Sequence, residues 1–380
     1  MNYFCVLIFI TCILTSSAQT ESSLLIGATT EKKTYSANFT AIKNLLETYN
    51  AAILENPTYV GSEWAPKVLN EYTIPDYLLK QEISAYRSKF QIKPNLMYIF
   101  KMDSCWVAQM AYHLYDGTEF KGLLCVYNFG VTKIQSDFKL VPYAQLQKFK
   151  QGKTKTISYY SHENSVLSAS NIDSLENYNN FLSRVLKTPV ISFKCYNYLN
   201  FAELNICNGL IAGNFSHAIS ENAYTDIYNS IIHTTSFESL FHESTHLYNH
   251  QLNPVMHPCI DEGLACYFGS CQKKPYTFHL AVLQNYLQLH PEINLNNTLY
   301  YHKDFISQES SFETDMGSLL AAMAFGRWGY AGILKLTSIN SGNEEFYAGI
   351  TNLFNVKRED LNVFLRDELK KYTNGSNKSD

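Results

Sequence analysis

His242-Glu243-Ser244-Thr245-His246 is the stretch around which this chain is organised. On an α-helix of 3.6 residues per turn, positions four apart stand about 40° from each other. His242 and His246 therefore share one face, and both imidazoles can reach a single cation. Glu243 is turned by about 100° from His242. Its carboxylate then stands beside such a cation, where it can take a proton from water. Phe237, Leu240, Phe241, Leu247 and Tyr248 supply apolar surface to bury the rest of the helix. Thr235 and Glu238 stand in capping-box relation and predict that the helix starts at Thr235.

Two histidines are one ligand short of a catalytic zinc site, which takes three protein ligands and keeps a position for water. Downstream, Pro258-Cys259-Ile260-Asp261-Glu262-Gly263-Leu264-Ala265 offers Glu262. Fifteen residues separate it from His246, room to end one helix, turn through Pro254 and Pro258, and start another. Ile260, Leu264, Ala265 and Phe268 can pack that second helix with Glu262 projecting toward the histidines. The expected metal set is His242, His246 and Glu262, the expected ion Zn2+, and the expected general base Glu243.

Together with Asp261-Glu262-Gly263-Leu264-Ala265, this motif resembles the gluzincin zinc metallopeptidases, most of all their peptidase MA-like branch. The likeness spans residues 157–372. It implies a zincin-like fold, a peptide or protein substrate, and an edge strand within 224–234 running beside that substrate. A metzincin pattern fails, because Asn249 and Leu252 stand where a Gly and a His should follow. His250 shares the face of His246 and reads as a solvated or supporting residue. A metal-bound histidine normally gives its second N–H to a carboxylate or carbonyl. In thermolysin-like relatives an Asp four residues beyond the third ligand does this; here Cys266 stands there, read as a buried helix residue, and Asp261 is the candidate substitute. Many peptidase MA-like chains place an oxyanion-stabilising Tyr three residues before a Gly. This chain has Thr314-Asp315-Met316-Gly317, which leaves Tyr300, Tyr301, His302 and Tyr330 as candidates. Ala218-Ile219-Ser220-Glu221-Asn222 reads as a loop. Peptide-bond hydrolysis is the leading expectation. A non-peptidase zinc hydrolase and a catalytically inactive zinc-containing peptide- or glycan-binding protein are the alternatives.

Outward from the motif, residues 3–14 form an apolar run closed by Thr15-Ser16-Ser17-Ala18. A spanning helix takes about 20 apolar residues, so the run predicts a signal peptide over 1–18 and a secreted or periplasmic protein. A lipid anchor at Cys12 has little support, since Phe9-Ile10-Thr11 is a poor lipobox. Export would permit disulfides, with Cys195–Cys207 and Cys259–Cys271 the first pairs to test. No other stretch is fit to span a membrane. The net charge of −4, without a basic stripe, speaks against a nucleic-acid partner.

For 380 residues two domains are the natural expectation. Amphipathic spacing predicts helices over 37–53, 64–69 and 76–86. Short β-rich runs over 97–101, 105–114, 121–131 and 138–143 predict a meander. An α+β domain over 19–150 follows, and its order of elements resembles the nuclear transport factor 2-like fold. Lys148, Lys150, Lys153 and Lys155, with Gly152, mark residues 148–156 as a linker. The zincin-like peptidase domain is expected over 151–373. It should carry a helix over 172–186, strands over 190–198 and 223–234, and helices over 317–325, 331–336 and 360–372. Residues 374–380 read as a disordered tail.

Overall fold

The computed structural model describes residues 25–26, 37–162, 167–213, 223–299 and 305–375. The expected signal peptide, the loop at 218–222, the candidates Tyr300, Tyr301 and His302, and the end of the tail lie outside the described residues. The chain is of mixed α+β class, as expected. It divides into two compact units, one within 1–149 and 200–221, the other within 150–199 and 222–380.

In the first unit, α1 (Ala37–Glu55), α2 (Pro66–Glu71) and α3 (Tyr77–Tyr86) precede the antiparallel meander β2 (Gln91–Met102), β3 (Cys105–Asp116), β4 (Glu119–Ile134) and β5 (Asp137–Val141). Ile42, Leu46, Tyr49 and Ile53 form the buried stripe of α1, the helical period made physical. The short β1 (Leu25–Ile26) runs parallel to β2. A sixth strand comes from far along the chain. Residues 200–221 carry α5 (Phe201–Cys207) and then β9 (Leu210–Gly213), which pairs antiparallel with β4. This differs from the single span 151–373 expected for the second domain. Cross-strand hydrogen bonding to β4 assigns the segment, and no local spacing reports such a long-range partner.

The second unit contains a five-stranded sheet in the order β10 (Ala223–Asp226), β11 (Ile231–Thr234), β8 (Phe193–Asn197), β7 (Ile157–Ser161), β6 (Lys150–Lys153). Its centre is parallel: β7 (Ile157–Ser161), β8 (Phe193–Asn197) and β11 (Ile231–Thr234), with α4 (Ala169–Leu186) between β7 and β8. Both edges are antiparallel. One is β6 (Lys150–Lys153), which corrects the linker expected over 148–156: its lysine-rich backbone pairs with β7 in full register. The other is β10 (Ala223–Asp226), so the single strand expected over 223–234 is a hairpin instead. It turns where the Asn229 backbone N–H donates to Asp226 Oδ1 at 3.1 Å and Ser230 takes a φ of 51°. The remainder is mainly helical: α6 (Ser239–Leu252), α7 (Pro258–Gly269), α8 (Tyr276–Leu289), the small β12 (Phe305–Ser307) and β13 (Ser310–Ser311) pair, α9 (Phe312–Trp328), α10 (Tyr330–Thr337), α11 (Asn343–Phe354) and α12 (Leu361–Gly375). Ile157, Phe193, Cys195, Ile232 and Leu240 build the core between sheet and helices. A larger helical core collects Leu264, Leu280, Met316, Leu320, Phe346 and Leu365, among others.

Neither expected disulfide is present, and all seven described cysteines are free. Cys195 is buried in the sheet core of the second unit, whereas Cys207 ends α5 of the first. Cys259 gives its thiol proton to the Glu313 carbonyl at 3.5 Å. Among the described residues no helix is long and apolar enough to cross a membrane.

Candidate metal centre

Helix α6 follows the C-terminal end of β11 and starts four residues later than the capping-box reading predicts, at Ser239. The hydroxyl of Thr234 captures the Ser236 carbonyl at 2.6 Å and accepts from the Ser236 N–H. The chain therefore turns before the helix begins, and Glu238 caps it without a side-chain bond. Leu240, Leu247 and Tyr248 bury the inner face. The Tyr248 hydroxyl donates to Asn179 Oδ1 of α4 at 2.7 Å, and the Thr245 and Tyr178 hydroxyls lie 2.9 Å apart. These bonds fix the rotation of α6 about its own axis.

Helix α7 opens on Pro258, whose missing N–H costs nothing at the first turn. His257 caps it, its Nδ1 accepting from the Cys259 N–H at 3.2 Å. Against α9 the backbone of α7 passes without side chains between. A Cβ on Gly263 would stand 2.1 Å from the Gly317 carbonyl carbon, and one on Gly317 would stand 1.8 Å from the Cys259 carbonyl oxygen. Gly263 of the Glu-Gly-Leu-Ala stretch is thus a packing residue that sets the height of Glu262.

These helices bring all three expected ligands together. One donor atom each from His242, His246 and Glu262 lies within 4.8 Å of the others. Nε2 of His242 is 3.4 Å from Glu262 Oε2, and Nε2 of His246 is 3.9 Å from Glu262 Oε1. Zinc–ligand bonds of about 2.0–2.1 Å in tetrahedral array would place donor atoms about 3.4 Å apart. The side chain of Glu262 is 41% exposed, so the group opens to solvent on one side.

The outward ring nitrogens are both engaged. Nδ1 of His246 donates to Asp261 Oδ1 at 2.8 Å, the substitution suggested by the sequence. That same carboxylate oxygen accepts from Asn249 Nδ2 at 2.8 Å. Nδ1 of His242 donates to the Ser270 backbone carbonyl at 2.9 Å. Ser270 follows α7 with a φ of 66°, a left-handed conformation that turns its carbonyl back onto α6. Cys266, where an aspartate was absent, is fully buried in α7 and is no part of the ligand group.

Electrostatics agree with the geometry. Burial, the largest single influence, lowers the proton affinity of His242, but its bond to Glu262 and the charges of Cys271 and Glu262 together carry the pKa up to about 9. His246 is likewise disfavoured by burial and then raised well above its ordinary value by Asp261, Glu262 and Glu243. An acidic field that favours a proton on these rings also favours a cation between them. Glu243 is buried beside the group, and Thr225 of β10 donates to its Oε2 at 2.7 Å.

Other predicted positions fall elsewhere. His250 packs edge-on against Tyr228 at 5.9 Å. Tyr330 packs on Phe325 at 5.0 Å, in the aromatic surroundings of Tyr267. Asn249, the Ser270 carbonyl and Thr225 were missed. Only Asn249 left a signal, being three residues from His246 on the same helix. In comparisons with known proteins, the chain matches no family model and no curated sequence.

Proposed function

We propose that this protein is a zinc-dependent peptidase of gluzincin type, with a zincin-like second unit. One observation carries the reading: two imidazole Nε2 atoms face one carboxylate while both Nδ1 atoms are tied back, and Glu243 stands beside the group without belonging to it. Two imidazoles and a carboxylate with one open side are the donor set of a catalytic rather than a structural zinc. Zinc bound there would polarise the scissile carbonyl and bring the pKa of water to about 7. Glu243 accepts the proton of the attacking water and passes it to the leaving amine. Asp261 and the Ser270 carbonyl keep the two rings in one tautomer and orientation. Strand β10 ends the order of the sheet among the described residues, and an extended peptide would bind there by strand addition. The mixed sheet, with α4 and α6 packed together against it and α7 packed on α6, supports the zincin-like reading. The helix-then-meander order of the first unit supports a nuclear transport factor 2-like one. The apolar run at 3–14 supports export.

Glu243→Gln provides the test. The variant is expected to bind zinc as the parent does and to lose roughly 10²- to 10⁴-fold in hydrolysis of a peptide library. Unchanged hydrolysis would remove Glu243 from the mechanism. Cleavage of small esters but of no peptide would make the protein a different zinc hydrolase. Stoichiometric zinc with no turnover of either would make it a binding protein.

A further inference from the structure

We infer that Thr225, on edge strand β10, is the positioning residue that aims the general base. This rests on the reading of Glu243 as that base. Thr225 Oγ1 lies 2.7 Å from Glu243 Oε2 and 2.9 Å from the Glu243 backbone carbonyl. A hydroxyl has one proton, and a carboxylate oxygen is a stronger acceptor than a backbone carbonyl. The bond therefore occupies Oε2 and leaves Oε1 for water.

Placement explains the precision of this contact. Thr225 pairs across the hairpin with Ile232, whose side chain is in the core beneath α6. The Thr225 side chain thus emerges on the sheet face that packs the helix. Threonine is branched at Cβ and has few χ1 states, so strand backbone and hydroxyl move as one body. Glu243, by contrast, has three side-chain torsions, and its buried carboxylate would otherwise choose among rotamers. The edge strand to which an extended substrate would add is then also the element that holds the base. Both hydrogen bonds given by the Thr225 hydroxyl among the described residues go to Glu243 and not to a ligand of the group, so the effect is separable from metal binding.

Valine has the shape of threonine without the hydroxyl, and it suits a strand equally well. Thr225→Val is expected to lower kcat by roughly 10²-fold, the scale of a misplaced catalytic group. KM and zinc affinity should stay at parental values. Thr225→Ser should restore most of kcat, which a purely structural contribution of the strand would not do. Parental kcat in Thr225→Val, or failure of Thr225→Ser to recover activity lost in Thr225→Val, overturns the proposal. A second readout is independent of turnover. Isotope-edited infrared spectra of the metal-free protein should contain a Glu243 carboxylate band, identified by its loss in Glu243→Gln. That band should shift in Thr225→Val and return in Thr225→Ser. If the parent hydrolyses nothing, the peptidase reading falls while the shifted band still upholds the anchor. A band unmoved by Thr225→Val removes the anchor even in an active enzyme.

Discussion

The two imidazoles of the centre are held by unlike partners, and the difference is testable. His246 donates to a carboxylate that Asn249 also steadies, whereas His242 donates to a backbone carbonyl. Removing such a supporting carboxylate typically costs 10- to 100-fold in metal affinity. Asp261→Ala should weaken zinc binding by about that factor, as titration against a competing chelator would show. Ser270→Ala should leave it unchanged, because the acceptor is main chain. A second residue-scale prediction concerns pH. Burial raises the Asp226 carboxyl to about 7 and lowers His233 to about 3. Between about pH 4 and 6.5 the native state keeps a proton on Asp226 that the unfolded chain releases, so Asp226 lowers stability as pH rises. Over the same window the unfolded chain protonates its histidine and the native state does not, so His233 raises stability as pH rises. The two slopes oppose each other. Asp226→Asn removes one, and relative to the parent its unfolding free energy should gain about 1.4 kcal/mol per pH unit across that window. Equal slopes in urea titrations of the two proteins would refute the assignment.

At the scale of elements, the crossing of α7 and α9 sets the height of Glu262. Gly263 and Gly317 let the two backbones meet, and a methyl group on either collides with main chain rather than with a yielding side-chain tip. Overpacking of this kind costs about 1–3 kcal/mol, and sometimes more. Gly317→Ala should destabilise the protein by at least that amount, read as a lower urea midpoint, and should weaken zinc binding as Glu262 is displaced. A stable variant with parental affinity would show that α7 is placed by something else. Sequence periodicity was a good guide to α1, α4 and α12, because each buries one stripe, whereas α9 is buried on every side over most of its length. It failed for α8 and α11, which no apolar spacing had singled out, and for the β10–β11 hairpin, where one alternating run crosses a turn. Thr235 failed as a helix cap for a local reason: Thr234 had already bonded the turn.

For the whole molecule, the consequential fact is that residues 200–221 return to the first unit. A protein beginning at Lys150 would carry β9 without β4, and an unpaired strand is a template for aggregation. Such a protein should elute as aggregates in size exclusion. Replacing 200–221 in it by a short Gly/Ser bridge should give a monodisperse, zinc-binding unit. Aggregation of both would place the defect elsewhere. The grouping of His242, His246 and Glu262, the place of Glu243 beside them and the mixed class were determined by sequence alone, because helical spacing and side-chain chemistry are local properties. Asp261 was half legible, as a carboxylate nearby but without an assigned ring. The Ser270 carbonyl was not legible at all, since every residue has a carbonyl and only backbone conformation aims one. Thr225 and β9 were decided by the tertiary structure for the same physical reason. Strand pairing joins residues far apart in the chain, and neither partner carries a mark of the other.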